Sequence, residues 1–150
     1  MLKLLFLSLL LLAACDGGGG HPLGHLETAQ LVVGPLQFTC WVAKTPEARQ
    51  VGLMPVRSLG PDQGMLFVFP TESVVFFWMR DTVVPIDLCY LANDGTILDV
   101  LQMTPLDETP RPSSTPVALA LELPAGVLAT NGLGVGDQVV IPPGVTDGSE

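Results

Sequence analysis

The sequence predicts a mainly β (α+β) domain, a small and mostly antiparallel barrel-like sheet of about seven strands with two short helices. Three observations predict it. Short apolar segments rich in aromatic and β-branched residues recur along the chain. Gly, Pro, Asn and Asp clusters punctuate them. The two helical signals between them span barely more than one turn each, too little to cover both faces of a parallel sheet.

Leu36–Ala43 (LQFTCWVA) reads as the first strand. Thr45-Pro46-Glu47 then opens a helix: Thr as N-cap, Pro at the first helical position and an acid in the first turn. Gly52 is its C-cap, so the helix spans Pro46 to Val51. Turn chemistry at Ser58–Gly64 leads into a continuous apolar strand, Met65–Phe69, and Val74–Met79 reads as another. Asp81 and Thr82 turn the chain, Pro85 is excluded from a central ladder, and Ile86–Leu91 resumes a strand. Asn93-Asp94-Gly95 makes a hairpin turn into Thr96–Leu101. Leu106–Pro116, with Pro110, Pro112 and Pro116, reads as a loop. Val117–Leu123 is a strand, a second short helix follows Pro124-Ala125-Gly126 and stops at Asn131-Gly132, and Gln138–Ile141 closes the sheet.

The amino terminus predicts location. Lys3 followed by LLFLSLLLL has the charge and length of a secretory signal, too short to span a bilayer. Leu12-Ala13-Ala14-Cys15 resembles a bacterial lipobox. That resemblance implies cleavage before Cys15 and lipidation of Cys15, a stable anchor once two or more acyl chains are attached. The expected divisions are a signal at 1–14, a lipidated Cys and Gly-rich tether at 15–30, one globular domain at 31–142, and a loose tail at 143–150. Asp16 resembles the inner-membrane retention residue of some enteric bacteria, which favours the periplasmic face of the inner membrane. The formal net charge is −9, and removing Lys3 with the signal makes it −10. Nucleic acid is therefore excluded as an expected partner, because the long-range electrostatics repel it. The expected partners are the membrane, through the anchor, and an envelope protein or a small-molecule or glycan ligand.

Within the domain several stretches resemble the bacterial and archaeal family called domain of unknown function 192. They are Thr45–Arg49 with Gly52-Leu53-Met54, Gly64–Phe69, Phe77-Trp78-Met79, Thr82, Pro85, Asp87, Leu121–Gly126 and Val135-Gly136-Asp137. The resemblance implies a fold boundary and no reaction, since the family has no established activity. The family often carries a basic residue where this chain has Val56, with Arg57 next, and commonly has Lys-Asn at Arg80-Asp81.

Candidate chemistry is sparse. The two histidines, His21 and His25, precede the predicted domain, which leaves it without the imidazole that Ser-His-Asp and Cys-His systems require. No cofactor and no metal site is expected; Met54, Met65, Met79 and Met103 are scattered and read as core filler. Cys40 and Cys89 either bridge two adjacent strands or remain separate buried thiols. Arg49, Trp78, Arg80, Asp81, Thr82, Asp87 and Glu122 form a candidate polar cluster with two readings. In one, Asp87 is a structural acceptor for the Thr82–Pro85 loop, served by backbone amides or by Arg49, Arg57 or Arg80. In the other the cluster is a shallow cleft with Trp78 as floor, Arg49 or Arg80 for an anion or hydroxyl, and Asp87 and Glu122 as acids. The expected function is a non-catalytic binding or scaffold domain. The alternative is a hydrolase or lyase acting on envelope glycans with two carboxylates, drawn from Asp81, Asp87 and Glu122.

Overall fold

The computed structural model describes residues 21–148. The expected signal and residues 15–20 of the expected tether, Cys15 among them, lie outside these residues. The chain forms β1 (Thr28–Val33), β2 (Leu36–Ala43), α1 (Pro46–Val51), β3 (Gln63–Ser73), β4 (Phe76–Phe77), β5 (Ile86–Leu91), β6 (Ile97–Met103), β7 (Arg111–Pro112), β8 (Val117–Pro124), α2 (Val127–Thr130) and β9 (Val139–Val140). Seven strands make one curled sheet in the order β6-β5-β8-β3-β2-β1-β9, and β4 and β7 pair separately. All the named strand pairings are antiparallel except β2 with β3, whose parallel register needs the crossover that α1 supplies. The two sheet edges approach each other through a bridge between Thr96 and Gln138. Val139 N–H donates to Gly95 C=O at 2.9 Å and Ile97 N–H to Asp137 C=O at 2.8 Å. Gly95, at φ 88°, makes that approach possible: a Cβ there would lie 2.1 Å from the Val139 carbonyl oxygen.

The α1 signals form as read. Thr45 Oγ1 accepts from Ala48 N–H, Pro46 opens the helix, and Gly52 N–H closes it on Ala48 C=O. Two expectations change. The first half of β1 lies inside the expected tether, and Leu23 ahead of it is fully buried, so the ordered body starts earlier than residue 31. His21 stacks on Trp41 at 4.4 Å between ring centroids. Val74–Met79 does not join the main sheet. Only Phe76 and Phe77 pair, with Pro112 and Arg111, because the partner loop is interrupted by prolines that cannot donate to a ladder. The expected alternation nevertheless holds: Val75 and Met79 are buried, Phe77 is half-buried, and Phe76, Trp78 and Arg80 are exposed.

Apolar residues cover both faces of the sheet. On one face Leu31, Phe38, Cys40, Leu66, Cys89, Leu121 and Leu128 belong to one core. On the other, Trp41, Met65, Phe67, Leu88, Tyr90 and Ala120 pack under Leu53, Val56, Val75, Met79 and Val84 from the connecting segments. Burial on both sides explains why every residue of β5 is buried.

Candidate functional site

β8 supplies the centre of the site. Leu119, Leu121 and Leu123 face one core, so strand alternation turns Ala120 and Glu122 to the other. Glu122 stands in register with Met65 of β3 and Leu88 of β5, and is only 6% exposed. Its carboxyl has no ion-pair partner among the described residues, and burial alone pushes its pKa up to about 8. It lines a cavity of about 240 Å³ whose walls include Arg49, Met54, Phe69, Phe77, Trp78 and Thr82.

Arg49 occupies the last turn of α1, where a cation suits the carbonyl end of the helix. Its Nη1 donates to the carbonyl oxygens of Lys44 and Val68, the latter at 2.9 Å. The guanidinium also lies 5.2 Å from the Phe69 ring centroid. The one ion pair among the described residues joins Lys44 to Glu27, so Arg49 is cationic without a carboxylate partner there. Phe77 anchors the aromatic wall, edge-on to Phe67 at 4.8 Å and to Phe69 at 6.4 Å. Trp78 is 44% exposed at the mouth, beneath the Arg80 guanidinium at 4.5 Å.

Of the seven residues of the candidate cluster, Arg49, Trp78, Thr82 and Glu122 meet in this cleft. Arg80 touches it only through Trp78. Asp81 is exposed, at φ 55°, and outside the lining. The Thr82 hydroxyl donates back to Arg80 C=O at 3.2 Å. Asp87 is buried on the opposite face, in register with Leu123, and accepts from Gly126 N–H at 2.7 Å. Burial raises its pKa and that bond partly offsets the rise. Asp87 is thus an acceptor for the turn leading into α2, met by a backbone amide rather than by an arginine. Ala125 N–H bonds Pro85 C=O beside it, at 3.2 Å. Because Asp87 and Glu122 face opposite sides of one sheet, they cannot flank a common bond as a two-carboxylate hydrolase requires.

The possible Cys40–Cys89 bridge is absent. Both thiols are free and buried, and β3 and β8 separate their strands. Three steps of about 4.8 Å along the sheet exceed disulfide reach. Burial pushes both thiols up to about 12, which makes them poor nucleophiles. Met65, Met79 and Met103 are buried in the core, whereas Met54 borders the cleft. Among the described residues no group of three or more His, Cys, Asp or Glu is placed to hold a metal. No helix among them is long and apolar enough to cross a membrane.

Sequence reading missed the contributions of Phe67, Phe69, Phe76 and Phe77 to the cleft. Phe76 and Phe77 were legible only as members of an alternating strand. Their role depends on that strand lying across the sheet rather than within it. Val56, where the family often carries a basic residue, is buried in the core, while Arg57 is exposed.

Two solved structures share this architecture. A protein from Sinorhizobium meliloti 1021, proposed as a transcription regulator, is 32% identical with a TM-score of 0.73, over 77% of this chain and 95% of that one. A protein of unknown function from Novosphingobium aromaticivorans DSM 12444 is also 32% identical, with a TM-score of 0.75, over 80% of this chain and 89% of that one. No curated protein matches the chain. The family model DUF192, described as "Uncharacterized ACR", matches residues 29–141, and the chain belongs to that family.

Proposed function

We propose that this is a lipid-tethered envelope protein whose β domain binds a small ligand in the Arg49–Trp78–Glu122 cleft without transforming it. The observation that carries the reading is Glu122: a buried carboxyl, without an ion-pair partner among the described residues, lining a cavity walled by aromatic rings. A concave apolar site with a few convergent polar groups is the usual form of a ligand pocket. A single carboxyl, with no imidazole and no acidic thiol beside it, offers a means of holding a ligand and little means of moving protons through a reaction. Leu12-Ala13-Ala14-Cys15 supports the tether. The role proposed for the S. meliloti protein does not transfer readily, because a net charge of −9 repels nucleic acid.

Two measurements test the reading. The full chain, expressed in a bacterial envelope, incorporates labelled palmitate, and Cys15→Ser abolishes the label. Native mass spectrometry of the detergent-extracted protein shows an adduct that denaturation releases and that Trp78→Ala loses. Equal labelling of Cys15→Ser would contradict the anchor. A bound compound that the protein converts to a different product would contradict the non-catalytic reading.

A further inference from the structure

We infer that the cleft takes a small organic carboxylate, whose oxygens meet Arg49 and the Glu122 carboxyl and whose apolar body lies against Phe69, Phe77 and Trp78. This rests on the proposed binding role and adds the charge and chemical class of the ligand.

Arg49 is held from behind: Nη1 is bonded to two backbone carbonyls and the guanidinium lies by Phe69. Among the described residues its Nε and Nη2 donors meet no protein acceptor, and they form a planar fork whose geometry matches a carboxylate. The lining contains one other ionisable group, Glu122, which burial keeps largely protonated at neutral pH. A protonated carboxyl donates one hydrogen bond. The chain is anionic overall, yet this cavity presents a cation and a neutral acid. An amine would meet the Arg49 charge there, and would find the rings of Phe69 and Trp78 already facing guanidinium groups. A carboxylate meets donors from both polar residues. About 240 Å³ accommodates a single ring with a short acid arm.

Burial sets the response of Glu122 to pH. Arg49 of α1 shares the cavity lining with Glu122; Tyr90 of β5 feels the Glu122 charge, its own ionisation being opposed mainly by burial, in lesser part by Asp99 and Glu122, and favoured by Arg111. β3 presents Met65 and Phe67, which do not titrate. Ionisation of Glu122 removes its donor and places a negative charge against the ligand.

The experiment is a titration of the full chain in detergent, read by saturation-transfer NMR and Trp fluorescence. The probes are phenylacetate, its neutral amide and benzylamine. Phenylacetate is expected to bind at least about tenfold tighter than either analogue. Arg49→Gln is expected to lose that preference and Arg49→Lys to retain part of it. Wild-type affinity should fall as pH rises through about 8, whereas Glu122→Gln stays level. Because Arg49 also ties α1 to β3, the comparison of probes on the wild type stands without any variant. Benzylamine binding best, with affinity rising with pH, would overturn the carboxylate inference and leave the binding reading intact. Binding of none of the three would overturn this inference, while the co-purified adduct would still decide the binding role.

Discussion

Replacing Glu122 with Gln should make the protein more stable at neutral and alkaline pH, an unusual outcome for a change at a cleft. The cause is linkage. Glu122 ionises near its ordinary 4.5 in the unfolded chain and at about 8 in the folded one. Below pH 4.5 the group is neutral in both states and costs nothing. Between those values the unfolded chain sheds the proton and the folded chain keeps it, so stability falls by about 1.4 kcal/mol per pH unit. By pH 7 the wild type should have lost about 3 kcal/mol relative to pH 4.5, and the loss levels off above pH 8. Glu122→Gln keeps the shape and removes the ionisation. Urea melts at pH 5 and pH 7.5 at constant ionic strength provide the assay. The variant should lie close to the wild type at pH 5 and exceed it by a few kcal/mol at pH 7.5. Asp87, also raised by burial, contributes to both proteins and cancels in the difference. Parallel pH profiles would refute the claim that Glu122 is held protonated by burial.

Other perturbations follow from the packing. Gly64→Ala should cost about 1–3 kcal/mol or more in a chemical melt, since the new Cβ would lie 2.6 Å from the Glu122 carbonyl oxygen and 3.1 Å from Cys40 Sγ. Asp87→Ala should lower stability by about 1–3 kcal/mol by stranding the Gly126 amide; an unchanged melting temperature would contradict its structural role. Cys40 and Cys89 should resist a thiol reagent in the native protein and both react after denaturation, with no effect of reductant on the melting temperature.

The sequence discloses elements whose signals are local. Leu36–Ala43, Pro46–Val51 and Ile86–Leu91 appear within the bounds read from alternation and capping. β1 was hidden because Ala29 and Gln30 carry little strand character and the segment follows a Gly-rich stretch. Its pairing with β2 and β9, and its tertiary burial, settle it. Glu122 was legible as an acid in an otherwise apolar strand, and Trp78 as the exposed member of an alternating run. Asp87 looked equivalent to Glu122 in sequence. Only strand register shows that they point to opposite faces. The Cys pair failed for a related reason, since which strands become neighbours is set by a topology that no local signal carries.

The central claim is that the space between α1, the Phe76–Thr82 segment and Glu122 is the binding site. Amide and methyl chemical-shift mapping during phenylacetate titration tests it most directly. The account predicts shifts concentrated at Arg49–Met54, Phe67–Phe69, Phe76–Trp78 and Glu122. Saturable shifts centred elsewhere, or none at these residues, would contradict it.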